Sequence, residues 1–236
     1  MISGKAFADC CQWIVDDRYS ERSFKYLATR TGDWVFMNAD YLEEFVEKFP
    51  KIMRKKFRFV LHNSDRTMDG ARLSLLAPLA IRIYSINTSV AHPMLKTIPI
   101  GFPDSALRVL PLVDRTPRER TIEIYSNFSV GTNIPARQAC LVALADDPRV
   151  VRKEPNDRDQ YYRDLLNSKF VVCPEGTGID THRLYEALWC GATPVVLHSS
   201  LDALYKQMPV CIVNDWKDPY FVVEGTAQFD AAKWLT

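Results

Sequence analysis

The chain has no run of about 18 apolar residues, which excludes a transmembrane helix. It has no excess of charge of either sign. The 30 Lys and Arg stand against 29 Asp and Glu, a formal net charge of +1. No global field therefore draws the chain to a polyanion, and non-specific nucleic-acid binding is excluded as its role. It has no CxxC spacing: Cys10 and Cys11 are adjacent, and Cys140, Cys173, Cys190 and Cys211 each sit in an apolar stretch. These six read as buried, reduced thiols, not as a zinc site or a disulfide framework. There is no internal repeat, no low-complexity tract, and no GxGxxG after the first strand pattern, which argues against a flavodoxin-like or dehydrogenase domain. The opening MISGKAFADCCQWIVDDR lacks the basic start and apolar block of a signal peptide, so a cytoplasmic location is the expectation.

What is present is an ordinary globular composition, 236 residues with 47% hydrophobic and 25% charged, enough for one large domain or two small ones. From Trp34 the pattern alternates strand and helix. WVFMN and FRFVLHNSD read as strands flanking a helix in YLEEFVEKFPKIMRKK, with Asp40 as its N-cap and Pro50 ending or kinking it. IRIYSIN and KTIPIGF follow as short strands. The stretch from Phe102 to Thr121 is Pro-rich and aperiodic and reads as a linker. Beyond it come strand TIEIYSNFS, helix IPARQACLVALADD with Pro135 in its first turn, strand RVVRKE, helix DRDQYYRDLLNS and strand KFVVCP. Helix THRLYEALWCG, closed by Gly191, precedes strands TPVVLHSS and MPVCIVND and a last helix in FDAAKWLT. This spacing predicts parallel sheets in two α/β domains, residues 1–115 and 116–236, with the last helix free to pack back on the first.

Ligands of open parallel sheets bind beyond the carboxyl ends of the strands. That rule selects four loops: His62–Asp65, Asn127–Asn133, Pro174–Thr181 and His198–Ser200. The third is the most informative. Gly176 and Gly178 let backbone approach a ligand, and Asp180 or Thr181 can cap the helix that follows. That helix start suits a phosphate, with Arg183 in its first turn as a bidentate fork. Glu186, three residues on, can accept hydrogen bonds from ribose hydroxyls; the alternative is a solvated Arg–Glu pair on a helix surface. The pairs Asp16–Asp17 and Asp146–Asp147 read as solvated faces, without a third metal ligand.

The segment SKFVVCPEGTGIDTHRLYEALWCGATPVVL resembles the donor-binding stretch of exostosin-type glycosyltransferases, through Ser168, Phe170, Pro174, Gly176, Gly178, Asp180, Arg183, Glu186, Ala187, Gly191, Pro194 and Val195. HPMLKTIPIGF and SNFSVGTNIPARQACLVAL resemble two further segments of that family, in the same order. The resemblance implies a GT-B fold, two Rossmann-like domains facing across a cleft, with a nucleotide-sugar donor on the second and a glycan acceptor on the first. It implies a UDP-sugar as substrate, no permanently bound cofactor and no metal. Xylose is one of several sugars such enzymes use. Two glutamates eight positions apart, common in retaining GT-B enzymes, are absent: Gly178 stands eight before Glu186, and Glu175 falls three positions too early. An inverting reaction is therefore the expectation, in a chain short for this class.

An inverting transfer needs a base for the acceptor hydroxyl and help for the departing diphosphate. Asp65 is the first candidate base and His62 the second, with Asp69 behind them. The alternative for Asp65 or Ser64 is to cap a helix starting near Met68. Donor binding falls to Asn127, Ser129, Arg137, Pro174, Glu175, Gly176, Gly178, Asp180, Thr181, His182, Arg183, Glu186 and His198; His92 reads as a turn residue. Two rivals remain: a GDP-fucose-dependent fucosyltransferase, whose Tyr-Val/Ile-Thr-Glu-Lys motif is missing here, and an inactive nucleotide-sugar-binding module.

Overall fold

The computed structural model describes residues 1–19, 22–48, 54–116, 118–154, 157–218 and 221. They form two compact units, Met1–Asp104 and the described residues from Ser105 onward, each built on one five-stranded parallel sheet. Pro50 and the helix expected in FDAAKWLT lie outside the described residues.

The first sheet runs β1 (Trp13–Val15), β2 (Trp34–Asn38), β3 (Phe57–His62), β4 (Ala80–Ser85) and β5 (Leu95–Thr97), in that order across the sheet. Helices α1 (Gly4–Asp9), α2 (Leu42–Lys48) and α3 (Gly70–Leu76) accompany it. A one-way strand order with right-handed crossovers sends its connections to one face. There α2 and α3 bury Leu42, Phe45, Leu73 and Leu76 against Val35, Met37, Phe57, Phe59 and Leu61, one side of the strand alternation. The opposite alternates cannot face water either, because Phe36 and Val60 are as buried as their neighbours. Ile2 and Phe7 of the N-terminal segment are also buried, and Phe102 donates its amide to the Ile2 carbonyl. Strands covered on both faces are apolar throughout, which is why WVFMN shows no alternation.

The sequence assigned no element before Trp34, and α1 and β1 are there; both are too short to show a period. Asp40 is not the N-cap. Asn38 accepts from the Asp40 amide and starts a single tight turn, and α2 begins only at Leu42. The helix after β3 is capped by Asp69, which accepts from the Arg72 amide at 2.9 Å, so neither Ser64 nor Asp65 caps it.

The second sheet runs β10 (Cys211–Val213), β9 (Thr193–Leu197), β8 (Ser168–Val172), β6 (Ile122–Ser126), β7 (Val150–Arg152), all parallel. Counted from β6, this is the order 2-1-3-4-5, with a reversal between β6 and β8 where connections depart to opposite sides. Helices α4 (Ile134–Ala143), α5 (Arg158–Leu166), α6 (His182–Trp189) and α7 (Asp202–Tyr205) complete the unit. Gly191, at φ +71°, ends α6: its amide donates to Leu188 and the next amide, of Ala192, to Ala187, a left-handed stop that a side chain would strain. The expected linker is partly packed structure. Leu110 is fully buried, and its carbonyl accepts from the Trp189 indole at 3.1 Å. All six cysteines are unpaired; five are buried and Cys10 alone is exposed, against the expectation for that residue.

Candidate functional site

The reversal between β6 and β8 gathers the loops Asn127–Asn133 and Cys173–Thr181 at one edge of the second sheet. Two arginines meet there over one ring. The Arg137 guanidinium, on α4, lies 5.6 Å from the Phe128 ring centre and that of Arg183, on α6, lies 5.7 Å from it. Arg137 is buried, with Nε donating to the Glu175 carbonyl at 3.0 Å and Nη1 to that of Ser129. Arg183 donates Nε to the Asn127 carbonyl at 2.8 Å. Each side chain is thus aimed by backbone oxygens and an aromatic face, and neither pairs with a carboxylate among the described residues. Burial, with Arg183 as a like-charged neighbour, lowers the pKa of Arg137. Two adjacent guanidiniums without counter-charge form a local anion-seeking centre in a chain of almost no net charge.

The loop after β8 is fixed from below. Asp180 is buried and accepts from the hydroxyls of Tyr185 at 2.6 Å and Tyr205 at 3.2 Å, and from the Thr181 amide. Asp180 therefore braces the loop. Thr181 occupies the N-cap position of α6, as expected, but its side chain makes no capping hydrogen bond. Asn133, the N-cap of α4, reaches across to the Gly176 carbonyl at 2.8 Å. A Cβ on Gly176 would stand 3.0 Å from Arg137 Nη2, so the guanidinium lies against a position that carries no side chain.

The remaining expected donor residues divide. Asn127 turns its buried amide to Tyr125 and the Glu154 carbonyl, offering Arg183 only its backbone oxygen. Ser129 also contributes through its carbonyl. Pro174 and Gly178 are buried in the loop and Glu175 is exposed. His182 opens α6 beside Arg183. The exposed His198 ring contacts Asp202. His198, Glu175, Cys173, Tyr205 and Trp216 line a small cavity of about 110 Å³ at the ends of β8 and β9.

Glu186 does not form a surface pair with Arg183. Its oxygens accept from Tyr162 at 2.9 Å and Tyr161 at 3.0 Å, both on α5. These tyrosines, Phe128 and Asn133 are the parts sequence reasoning missed. Only Asn133 carried a signal, an Asn two residues before a Pro at a helix start.

In the first unit, His62 is not a loop residue. It ends β3 opposite Asn38, with its ring buried near Phe7 and Phe36. Nε2 donates to the Ile100 carbonyl at 3.1 Å, which leaves Nδ1 to accept from the Asn63 amide at 2.8 Å. Both nitrogens are thus engaged, and Nδ1 also lies 3.0 Å from Asn63 Oδ1. Asp65 is exposed in the following loop. His92 accepts from the Met94 amide, a turn contact as read from sequence. A hollow of about 370 Å³ lies elsewhere in this unit, at the end of β1: Ile14, Phe24 and Phe45 form apolar walls, and Asp17, Tyr41 and Glu44 are among its polar residues. Among the described residues no group of three or more His, Cys, Asp or Glu is arranged to hold a metal ion, and no helix is long and apolar enough to cross a membrane.

Residues 128–232 match the family model described as the RXYLT1 C-terminal domain. The match begins at Phe128 and contains both arginines and Glu186, and it supports a glycosyltransferase of the exostosin-like kind. A search among curated proteins returned no match.

Proposed function

We propose that the chain is a glycosyltransferase that moves a sugar, xylose first among the choices, from a UDP-sugar to a glycan hydroxyl. The two units would act in the GT-B manner, donor on the second and acceptor on the first. The observation that carries this reading is the pair Arg137–Arg183 at the strand-order reversal: two guanidiniums, held by carbonyls, without a carboxylate between them. A diphosphate supplies the missing negative charge and accepts from Nη2 of Arg137 and, in bidentate fashion, from the Nη groups of Arg183. The uncapped start of α6 adds its dipole. The xylose assignment draws on the matched family.

The reaction proposed is inverting and metal-independent. A carboxylate takes the proton of the acceptor hydroxyl, and the hydroxyl oxygen forms the new bond to the anomeric carbon. The bond to the diphosphate breaks on the opposite face, and UDP leaves with its developing charge opposed by Arg183 and Arg137. Absence of a second glutamate eight residues before Glu186 favours this over retention. Asp65 is the first candidate base; His62, buried at the end of β3, is the second and less accessible one. The 370 Å³ hollow offers aromatic walls and carboxylates, which suit a sugar ring, and puts Asp17 forward as the rival base.

Calorimetry with UDP, UDP-xylose and GDP tests the donor side. UDP and UDP-xylose should bind wild-type protein, and Arg183→Ala should weaken both by at least about tenfold, the worth of a charge-assisted hydrogen bond. GDP binding with UDP silent would transfer the protein to the GDP-sugar enzymes. Binding of neither would end the donor reading.

A further inference from the structure

Glu186 is half-buried on α6, and among the described residues no cation pairs with it. Arg183, one turn earlier, turns to Asn127 instead. The carboxylate's hydrogen-bond partners are two neutral phenols from consecutive residues of one helix. Consecutive helical positions point about 100° apart and do not share a face. For both hydroxyls to reach one carboxylate, α5 must present the seam between Tyr161 and Tyr162 to α6. Their rings lie 5.4 Å apart and tilted, and they divide the carboxylate evenly, Tyr162 on Oε1 and Tyr161 on Oε2.

A carboxylate has about four lone-pair sites, two on each oxygen. One phenol on each oxygen leaves one site free on each and fixes the plane of the group. Two acceptors in that plane, side by side, match two neighbouring hydroxyl donors. Burial and the negative charge of Glu186 raise the pKa of both tyrosines, so both remain donors across the working pH range.

We propose that Tyr161 and Tyr162 are positioning residues that set Glu186 as a two-oxygen acceptor for a cis-diol, the ribose of the donor nucleotide. They thereby make the site select ribonucleotides over 2′-deoxyribonucleotides. This rests on the reading of the second unit as a nucleotide-sugar site. The 2′-hydroxyl donates to one oxygen and the 3′-hydroxyl to the other. Without the 2′-hydroxyl one carboxylate oxygen loses its donor, while contacts to the diphosphate are unchanged. Without the phenols the carboxylate is free to rotate and pairs with either hydroxyl alone.

The test is the ratio of UDP to 2′-deoxy-UDP affinity, measured by calorimetry in wild type, Y161F, Y162F and the double variant, with thermal unfolding in parallel. The ratio is internal to each sample, so a partly unfolded fraction cancels from it. Wild type should prefer UDP by about tenfold, one hydrogen bond to a charged group. The double variant should bring the two nucleotides within about threefold, chiefly by weakening UDP, since the phenols act only through the carboxylate. A double variant that keeps the wild-type preference overturns the role of the tyrosines. Equal binding of the two nucleotides by wild type overturns the diol assignment and leaves the diphosphate site standing. Binding of neither overturns both.

Discussion

Arg183 and Glu186 stand three residues apart on α6 and make no ion pair with each other: the arginine is held by the Asn127 carbonyl and the Phe128 ring, the glutamate by Tyr161 and Tyr162. The helix thus carries two separately anchored groups. In a double-mutant cycle, Arg183→Ala and Glu186→Ala should lower folding stability additively, within about 0.5 kcal/mol, as independent sites do. Urea unfolding of the four proteins measures this. A coupling above about 1 kcal/mol would show that the two side chains interact after all.

Gly176 is the position where backbone and guanidinium come closest. Its φ lies outside the left-handed region, so alanine costs the backbone little, but the added Cβ meets Arg137 Nη2 at 3.0 Å. Gly176→Ala should displace that nitrogen and lower UDP affinity by about fivefold to tenfold, a fraction of a charged hydrogen bond. Thermal unfolding should change little. Unchanged UDP affinity would remove Arg137 from the diphosphate contact.

Asp164 is a buried carboxylate away from the arginines. Burial works to raise its pKa, but hydrogen bonds from Lys153, Gln160 and Tyr125 outweigh that and hold it below its ordinary value. A carboxylate depressed in the folded state stabilises above its unfolded pKa and loses that contribution as pH falls through the folded value. Asp164→Asn should therefore cost about 1–3 kcal/mol at pH 7. The gap to wild type should narrow below about pH 4, where carboxylates protonate. Urea unfolding at both ends of that range gives the comparison, and a gap independent of pH would assign the loss to packing.

The base can be located by separating binding from turnover. Asp65→Asn should leave UDP affinity intact and reduce transfer by about 100-fold or more, the usual worth of a positioned base. If Asp65→Asn turns over normally and Asp17→Asn does not, the proton is taken at the hollow beside β1 instead.

Elements with a strong local pattern were legible in the sequence. Strands β6, β8 and β9 are short apolar runs ended by polar loops, and α6 is bracketed by a Gly-containing loop and Gly191. The loops at the strand ends followed from the parallel alternation. Roles within those loops were less legible, because a residue type does not state which of its atoms is used. Asn127 and Ser129 serve through their carbonyls, a function any residue could supply, and Asp180 faces inward to two tyrosines. His62 was misplaced for a related reason: the strand runs one residue longer than its apolar portion, and the carbonyl of Ile100, 38 positions away, accepts a hydrogen bond from its Nε2. Partners so distant in sequence leave no periodic trace.

The two sheets differ in strand order, and this bears on how each unit can be altered. In the second, the crevice follows from the reversal between β6 and β8, and main-chain oxygens aim the arginines, so loop side chains that do not touch the guanidiniums can be exchanged with that geometry kept. In the first, a one-way order builds no such crevice, and its hollow is shaped by the side chains of β1, α2 and the Phe24 segment. Reshaping the hollow of the first unit is therefore a matter of exchanging side chains, whereas reshaping the crevice of the second calls for a rebuilt backbone.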